Sequence, residues 1–160
     1  MMTKRQVIFG ILAIAVMVMI FGFSAKNADE STEESLEVGM TIGKVTVKDF
    51  KKRPYPEQVR FAEKIDHMVR KSAHFLEYTV LGFILFFTFY GKKLKRVKAG
   101  IFGWITGTLY AVTDEIHQMF VPGRACMFTD VCIDSGGVLT GTLLSVLILG
   151  IILAVRHRKV

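Results

Sequence analysis

The sequence predicts an all-α fold: a four-helix transmembrane bundle, with an amphipathic outer helix and a long outer segment between the first and second spans. Three observations carry this reading. The chain is 51% hydrophobic, yet its charges are segregated into blocks between long apolar runs, four of which approach membrane length. The short basic flanks "TKRQ", "KKLKRVK" and "RHRKV" stand at alternate ends of those runs, which by the positive-inside tendency sets both termini in the cytoplasm. Small residues recur every four positions in the third run (Ala99, Gly103, Gly107, Ala111) and the fourth (Gly137, Gly141, Ser145), as in close-packed membrane helices. The 160 residues read as a single membrane domain: a first helix in 1–23, an outer segment over 24–70, a three-helix core over 71–155 and a cytoplasmic tail over 156–160.

The first apolar run, Val7 to Phe23, follows Lys4 and Arg5. A cleaved signal peptide competes with a retained helix here. The run exceeds a usual signal core, and bulky Phe23 spoils a small-x-small cleavage site, so a retained helix near 6–23 is expected. The segment from Lys26 to Arg70 holds nine acids and nine bases, too polar to bury much by itself. Within it, "TIGKVTVKDF" reads as a short strand or as irregular chain. "PEQVRFAEKIDHMVR" places Val59, Ala62, Ile65 and Val69 near one helical face, with Pro56 in the first turn. It is expected to lie on the membrane surface or cap the bundle. The remaining spans are expected near 71–91, 97–115 and 130–155.

The net charge of +7 does not mark a nucleic-acid binder, because the bases cluster at the ends of apolar runs without aromatic interleaving. Cys126 and Cys132 lack metal-type spacing and are expected to be free; a disulfide between them is the alternative.

Depth directs attention to one set of residues. Fourteen residues separate Glu77 from Lys92, roughly 21 Å of helix against a hydrocarbon core of about 30 Å. Fifteen residues separate Lys98 from Asp114, so Asp114 and Glu115 reach a similar depth. Asp134 lies near the outer interface, and Asp130 one turn further out. Acids on three helices therefore converge on the outer side. Intramembrane charges face the bundle interior and mark function. His74, Glu77 and Tyr78 line one helix face, and the small-residue stripes of the third and fourth runs lead into Glu115 and Asp134. Arg70, Lys71 and Arg124 are the basic partners. Pro122 and Gly123 predict a turn that folds Arg124 back onto Asp114, Glu115, Glu77 or Asp130 in a salt bridge.

"KSAHFLEYTVLG", "TDEIHQMFVPGR" and "TDVCIDSGGVLTG", in this order and with matching spans, resemble the VanZ-like family of small bacterial membrane proteins, as does "FSAKNADESTEES". The family pattern falls on Lys71, His74, Glu77, Tyr78, Asp114, Glu115, Gln118, Arg124, Asp130 and Gly137; the family usually has asparagine where this chain has Asp134. The resemblance implies a multi-pass protein of the bacterial cell membrane. The family takes its name from a protein linked to glycopeptide resistance, notably to teicoplanin.

Three function classes follow. In the first, Arg70, Lys71, His74, Glu77, Tyr78, Asp114, Glu115, Gln118, Arg124, Asp130 and Asp134 bind an anionic membrane lipid or a lipid-linked envelope precursor. In the second, an outer-leaflet enzyme uses His74, Glu77, Asp114 and Glu115 as acid and base; no committed nucleophile is recognisable. A divalent ion on His74, Glu77, Asp114, Glu115 and Asp130 is a variant of it, though a His/carboxylate pair at i and i+3 more often shares a hydrogen bond. No cofactor is therefore assigned. A transporter ranks last, because polar residues confined to the outer half give no continuous path; an oligomer could supply one. His117, beside the polar loop, is expected to be solvated, and His67 and Tyr55 to be surface residues.

Overall fold

The structure, a computed structural model, describes residues 3–91 and 93–157. Lys92 and most of the predicted 156–160 tail lie outside the described residues. All regular elements among them are helical: α1 (Lys4–Ser24), α2 (Ala28–Thr46), a 3₁₀ turn at Phe50–Lys52, α3 (Tyr55–Phe89), α4 (Arg96–Gln118) and α5 (Phe128–His157). Each of the first two begins with a capping box, Thr3 with Gln6 and Asn27 with Glu30, which satisfies the first free backbone N–H groups. Asp29 and Glu30 add negative charge at the positive end of α2.

Two expectations for the outer segment are corrected. The stretch "TIGKVTVKDF" forms no strand: residues 41–46 are the last turns of α2, and the backbone becomes extended only at Val47. Packing overrides β-propensity here. Gly39 lies against Ala62, and Gly43 against the ring of Phe50, both on a face that also carries buried Ser35. Nor is the amphipathic helix separate from the second span. Residues 57–81 contain neither glycine nor proline, and nothing breaks the helix, so α3 runs 35 residues, roughly 52 Å. That exceeds the hydrocarbon thickness. The first half of α3, with Ala62 fully buried, packs on α2 to form a helical hairpin beyond the apolar half.

Among the described residues three helices, α1, α3 and α5, are long and apolar enough to cross a membrane. α4 is not among them, for it carries Arg96, Lys98, Asp114 and Glu115 within 23 residues. α3 is the hub, touching every other helix, and its contact with α5 is the most extensive. Gly137 sits on Phe75, Gly141 on Thr79 and Phe83, and Ser145 donates to the Phe83 carbonyl at 3.2 Å, so α3 and α5 run parallel. α4 runs antiparallel to both: Gly107 meets Leu85 and Val138, and Gly100 meets Thr142. α1 is antiparallel to α3. Arg5 donates to the Tyr90 carbonyl at 2.7 Å at one end, and Phe9 packs on Phe87 one turn further in.

The small-residue stripes face inward as predicted. Ala99, Gly103, Gly107 and Ala111 are all buried. A methyl group added to Gly137 would come within 2.5 Å of the Phe75 carbonyl oxygen, and one on Gly141 would strike the backbone of Thr79 and Phe83. Backbone cannot step aside as a side chain can. Gly141→Val is expected to cost roughly 1–3 kcal/mol or more by prising α5 from α3. Gly22→Ala, where nothing lies within 4 Å, should be neutral. Thermal unfolding in detergent measures both, and equal melting temperatures would contradict this packing.

Candidate functional site

The site grows out of the same register that packs the helices. On α3, Lys71, His74 and Tyr78 are spaced by one turn and share a face. The stripe of α4 ends in Asp114, Glu115 and Gln118, all buried. α5 presents Asp130 and, one turn on, Asp134. The loop between α4 and α5 closes over them. Gly123 takes φ 74° and rests on Ala28 of α2, while Pro122 accepts a hydrogen bond from the Ala28 N–H at 3.2 Å. The Arg124 N–H donates to the Val121 carbonyl at 3.1 Å, closing the turn expected at Pro122–Gly123.

Asp114 accepts the most hydrogen bonds of the three buried acids. Its Oδ2 accepts from the Ser24 hydroxyl at 2.8 Å, the Tyr78 hydroxyl at 3.3 Å and the Gln118 amide at 3.4 Å. Its Oδ1 has no partner. Glu115 is satisfied on both oxygens, by Gln118 Nε2 at 3.2 Å and by the Met127 backbone N–H at 2.9 Å; it clasps the loop to α4. Asp134 is 0% exposed and neither of its oxygens has a hydrogen-bond partner among the described residues. The nearest cation-forming atom is His74 Nδ1, 3.9 Å from Oδ1. His74, Asp114 and Asp134 together offer ligand atoms within 4.8 Å of one another.

Of the three expected bases, Lys71 pairs within the acidic group, and Arg70 and Arg124 do not. Lys71 Nζ pairs with Asp130 at 2.8 Å and Arg70 with Asp66 at 2.6 Å. Arg124 makes no salt bridge with Asp114, Glu115, Glu77 or Asp130. Its Nε donates to the Lys26 carbonyl at 3.3 Å, because the loop is pinned to the start of α2 and carries the guanidinium over the space between α2 and α3. Burial, and next the positive charge of Arg70, push the Arg124 guanidinium below its ordinary range, with Asp114 and Glu115 acting in the opposite sense. It nevertheless stays a cation.

Two cavities meet at these side chains. One, of about 180 Å³, is lined by Lys71, Glu115, Gln118, Asp130 and Asp134 among others. The second, of about 230 Å³, holds Glu77 with Ser31, Glu34 and Ser35 of α2. Arg70, His74 and Arg124 belong to both. An apolar groove of about 560 Å³, bounded by Met68, Phe75 and Leu76, opens beside the first cavity and shares His67, Lys71 and Ile133 with it.

The structure thus gathers the predicted residues on α3, α4 and α5, with Glu77 turned to the second cavity. It adds Ser24, Asp66 and the Met127 N–H, which depth arguments about charged groups did not reach; "FSA" at the end of α1 was the available signal for Ser24. His117 is not fully solvated. It is half-buried, with its ring 4.2 Å from that of Phe21, because α1 ends against α4. Cys126 and Cys132 are free and exposed, and Tyr55 and His67 lie at the surface.

Ser24→Ala removes the closest hydrogen bond to buried Asp114 and is expected to cost about 1–3 kcal/mol. Thr113→Ala, whose hydroxyl only returns to its own helix at Tyr110, is expected to cost much less. Equal shifts in thermal unfolding would show that Ser24 does not hold Asp114.

No curated protein and no solved structure matches the chain. The model of the VanZ/LLP1 family matches residues 9–150, which takes in all of the motifs above, and the chain belongs to that family.

Proposed function

We propose that this protein binds the headgroup of an anionic membrane lipid or lipid-linked envelope precursor at the outer face of the bacterial cell membrane. One observation carries the reading: a polar cavity edged by Arg70, Lys71 and Arg124 shares its rim with an exposed apolar groove along Met68, Phe75 and Leu76. A phosphate would meet two guanidinium groups, which bind it through paired hydrogen bonds. A hydrocarbon chain would lie along Phe75 and Leu76. Arg124, free of carboxylate partners, is the base best placed for a ligand anion.

The reading takes the chain as four-pass, with both termini cytoplasmic. The antiparallel course of α4 supports this. It begins beside Phe86 and ends beside Tyr78, spanning the depth of α1, and it turns Ile101, Phe102, Ile105 and Leu109 outward. Basic flanks at Lys4–Arg5 and Lys93–Lys98 support the orientation. A second reading, an outer-leaflet enzyme, is favoured by half-buried His74 and buried Asp114 and Asp134 beside the same cavity.

Topology is tested by cysteine labelling of intact cells, with Cys126 and Cys132 replaced by serine. Val45→Cys and Phe120→Cys, 82% and 81% exposed, should react with an impermeant reagent, and Lys95→Cys should not. Like behaviour at 95 and 120 would remove α4 from the membrane. Binding is tested by native mass spectrometry of the purified protein. An anionic lipid should be retained and be lost from Arg124→Gln, since a charge-assisted hydrogen bond of about 1.5–3 kcal/mol weakens affinity tenfold or more when removed. Equal retention by both would defeat the proposal. Turnover of the retained lipid, abolished in His74→Gln, would favour the enzyme.

A further inference from the structure

We infer that His74, Asp114 and Asp134 form a binding site for one divalent transition-metal ion of the Zn²⁺ or Mn²⁺ type. This goes beyond lipid binding and uses groups that the proposed headgroup contacts leave unexplained.

The argument starts from Asp134. A buried carboxyl group without hydrogen bonds is costly, and native proteins rarely leave one so. Here both oxygens are unpartnered in a residue with no exposed surface, and Asp114 Oδ1, in a residue 2% exposed, is unpartnered as well. These carboxylates are not scattered. One oxygen of each lies, with a His74 ring nitrogen, in a group whose atoms are within 4.8 Å of one another. Neither a hydrogen bond nor a close ion pair fills this space, for His74 Nδ1 stands 3.9 Å from Asp134 Oδ1. Ligands about 2.0–2.1 Å from a tetrahedral ion lie roughly 3.3 Å apart, so an inward movement of about 1 Å closes the group around a metal.

The surroundings fit this use. Asp114 is held through Oδ2 alone by Ser24, Tyr78 and Gln118, and its Oδ1 is left free; outer hydrogen bonds of this kind orient a ligating carboxylate. One imidazole and two carboxylates suit a borderline ion better than Ca²⁺ or Mg²⁺, which prefer oxygen throughout. Three protein ligands leave at least one position open. His74 and Asp134 line the outer cavity, which supplies an entry path and a place for a water or a ligand oxygen at that position. His74, Asp114 and Asp134 come from α3, α4 and α5, so an ion would also tie three helices together.

The test uses full-length, untagged protein with Cys126 and Cys132 replaced by serine, stripped with chelator in detergent. Zn²⁺ is added and bound metal is counted by mass spectrometry, with thermal unfolding followed in parallel. One equivalent per chain and a higher melting temperature are expected. Asp134→Asn and His74→Gln should lose both the equivalent and the Zn²⁺-dependent shift. Ser24→Ala should bind roughly 10–100-fold more weakly, and Glu63→Gln, on the exposed side of α3, should behave as the parent. Should a ligand variant fail to fold, the parent protein loaded with Co²⁺ decides alone. Visible bands of a four- or five-coordinate nitrogen and oxygen site support the inference, and a six-coordinate aqueous spectrum overturns it. Failure to retain Zn²⁺, or retention unchanged in Asp134→Asn, also overturns it. Neither result bears on lipid retention, which the Arg124→Gln comparison measures separately.

Discussion

A carboxyl group set among apolar helices has to be turned away from lipid and toward other polar groups, and this one constraint organises the protein. Asp114 and Asp134 cannot face outward at their depth without a heavy desolvation cost. They can meet His74 only if α3, α4 and α5 approach closely. Gly137 and Gly141 make that approach: each lets α5 rest on the backbone of α3, which sets the rotation of α5 and points Asp134 inward. Gly103 lets α4 rest on the backbone of α3 at Leu85 and Phe86, and Gly107 leaves room for the side chains of Val138 and Leu85, which turns Asp114 inward. The glycines are packing devices, and the polar group is what their packing positions.

The charged end of the bundle is asymmetric for a related reason. Asp114 and Asp134 are placed one or two turns from the ends of α4 and α5, where the chain can supply counter-charges from beyond the apolar runs. Lys71 answers Asp130, Arg70 answers Asp66, and Ser24 and Gln118 answer Asp114. The extension of α3 beyond its apolar half, braced by α2, brings Asp66 and Arg70 to the rim. With these pairs made, Arg124 is left over a cavity without a carboxylate partner, and Asp134 is left below it without a donor. A cation above and a bare carboxylate beneath are the two imbalances on which anion binding and metal binding are respectively argued.

Much of this was legible in the sequence, because hydropathy, basic flanks and a four-residue period are strong physical signals. The runs containing α1, α3 and α5, the inward stripes ending at Glu115 and Asp134, and the convergence of His74 with Asp114 all follow from them. Other features depend on contacts no local pattern encodes. Val45 and Val47 favoured a strand, but Gly39 and Gly43 packing on Ala62 and Phe50 made α2 helical. Nothing in "RFAEKIDHMVRKSAHF" marks an end, and the separation of an outer helix from a span was imposed by composition alone. Charge balance pointed Arg124 at the acids, while the hydrogen bond of Ala28 to Pro122 drew it toward α2. Ser24 was missed because it carries no charge, although its hydroxyl is the closest donor to Asp114. Hydropathy also understates α4, since Arg96, Lys98, Asp114 and Glu115 lower its average while its outer face remains Ile101, Phe102, Ile105 and Leu109.

The central claim is that a phosphate-bearing lipid sits against the outer guanidinium groups, and solid-state NMR measures that contact directly. With arginine labelled in ¹⁵N and ¹³C and the protein in bilayers containing anionic phospholipid, dephasing by ³¹P reports the guanidinium-to-phosphorus distance. A guanidinium carbon on the order of 4 Å from phosphorus is expected, as a paired guanidinium–phosphate contact requires, with loss of that signal in Arg124→Gln. Phosphorus dephasing that is absent, or that persists unchanged without Arg124, would contradict it.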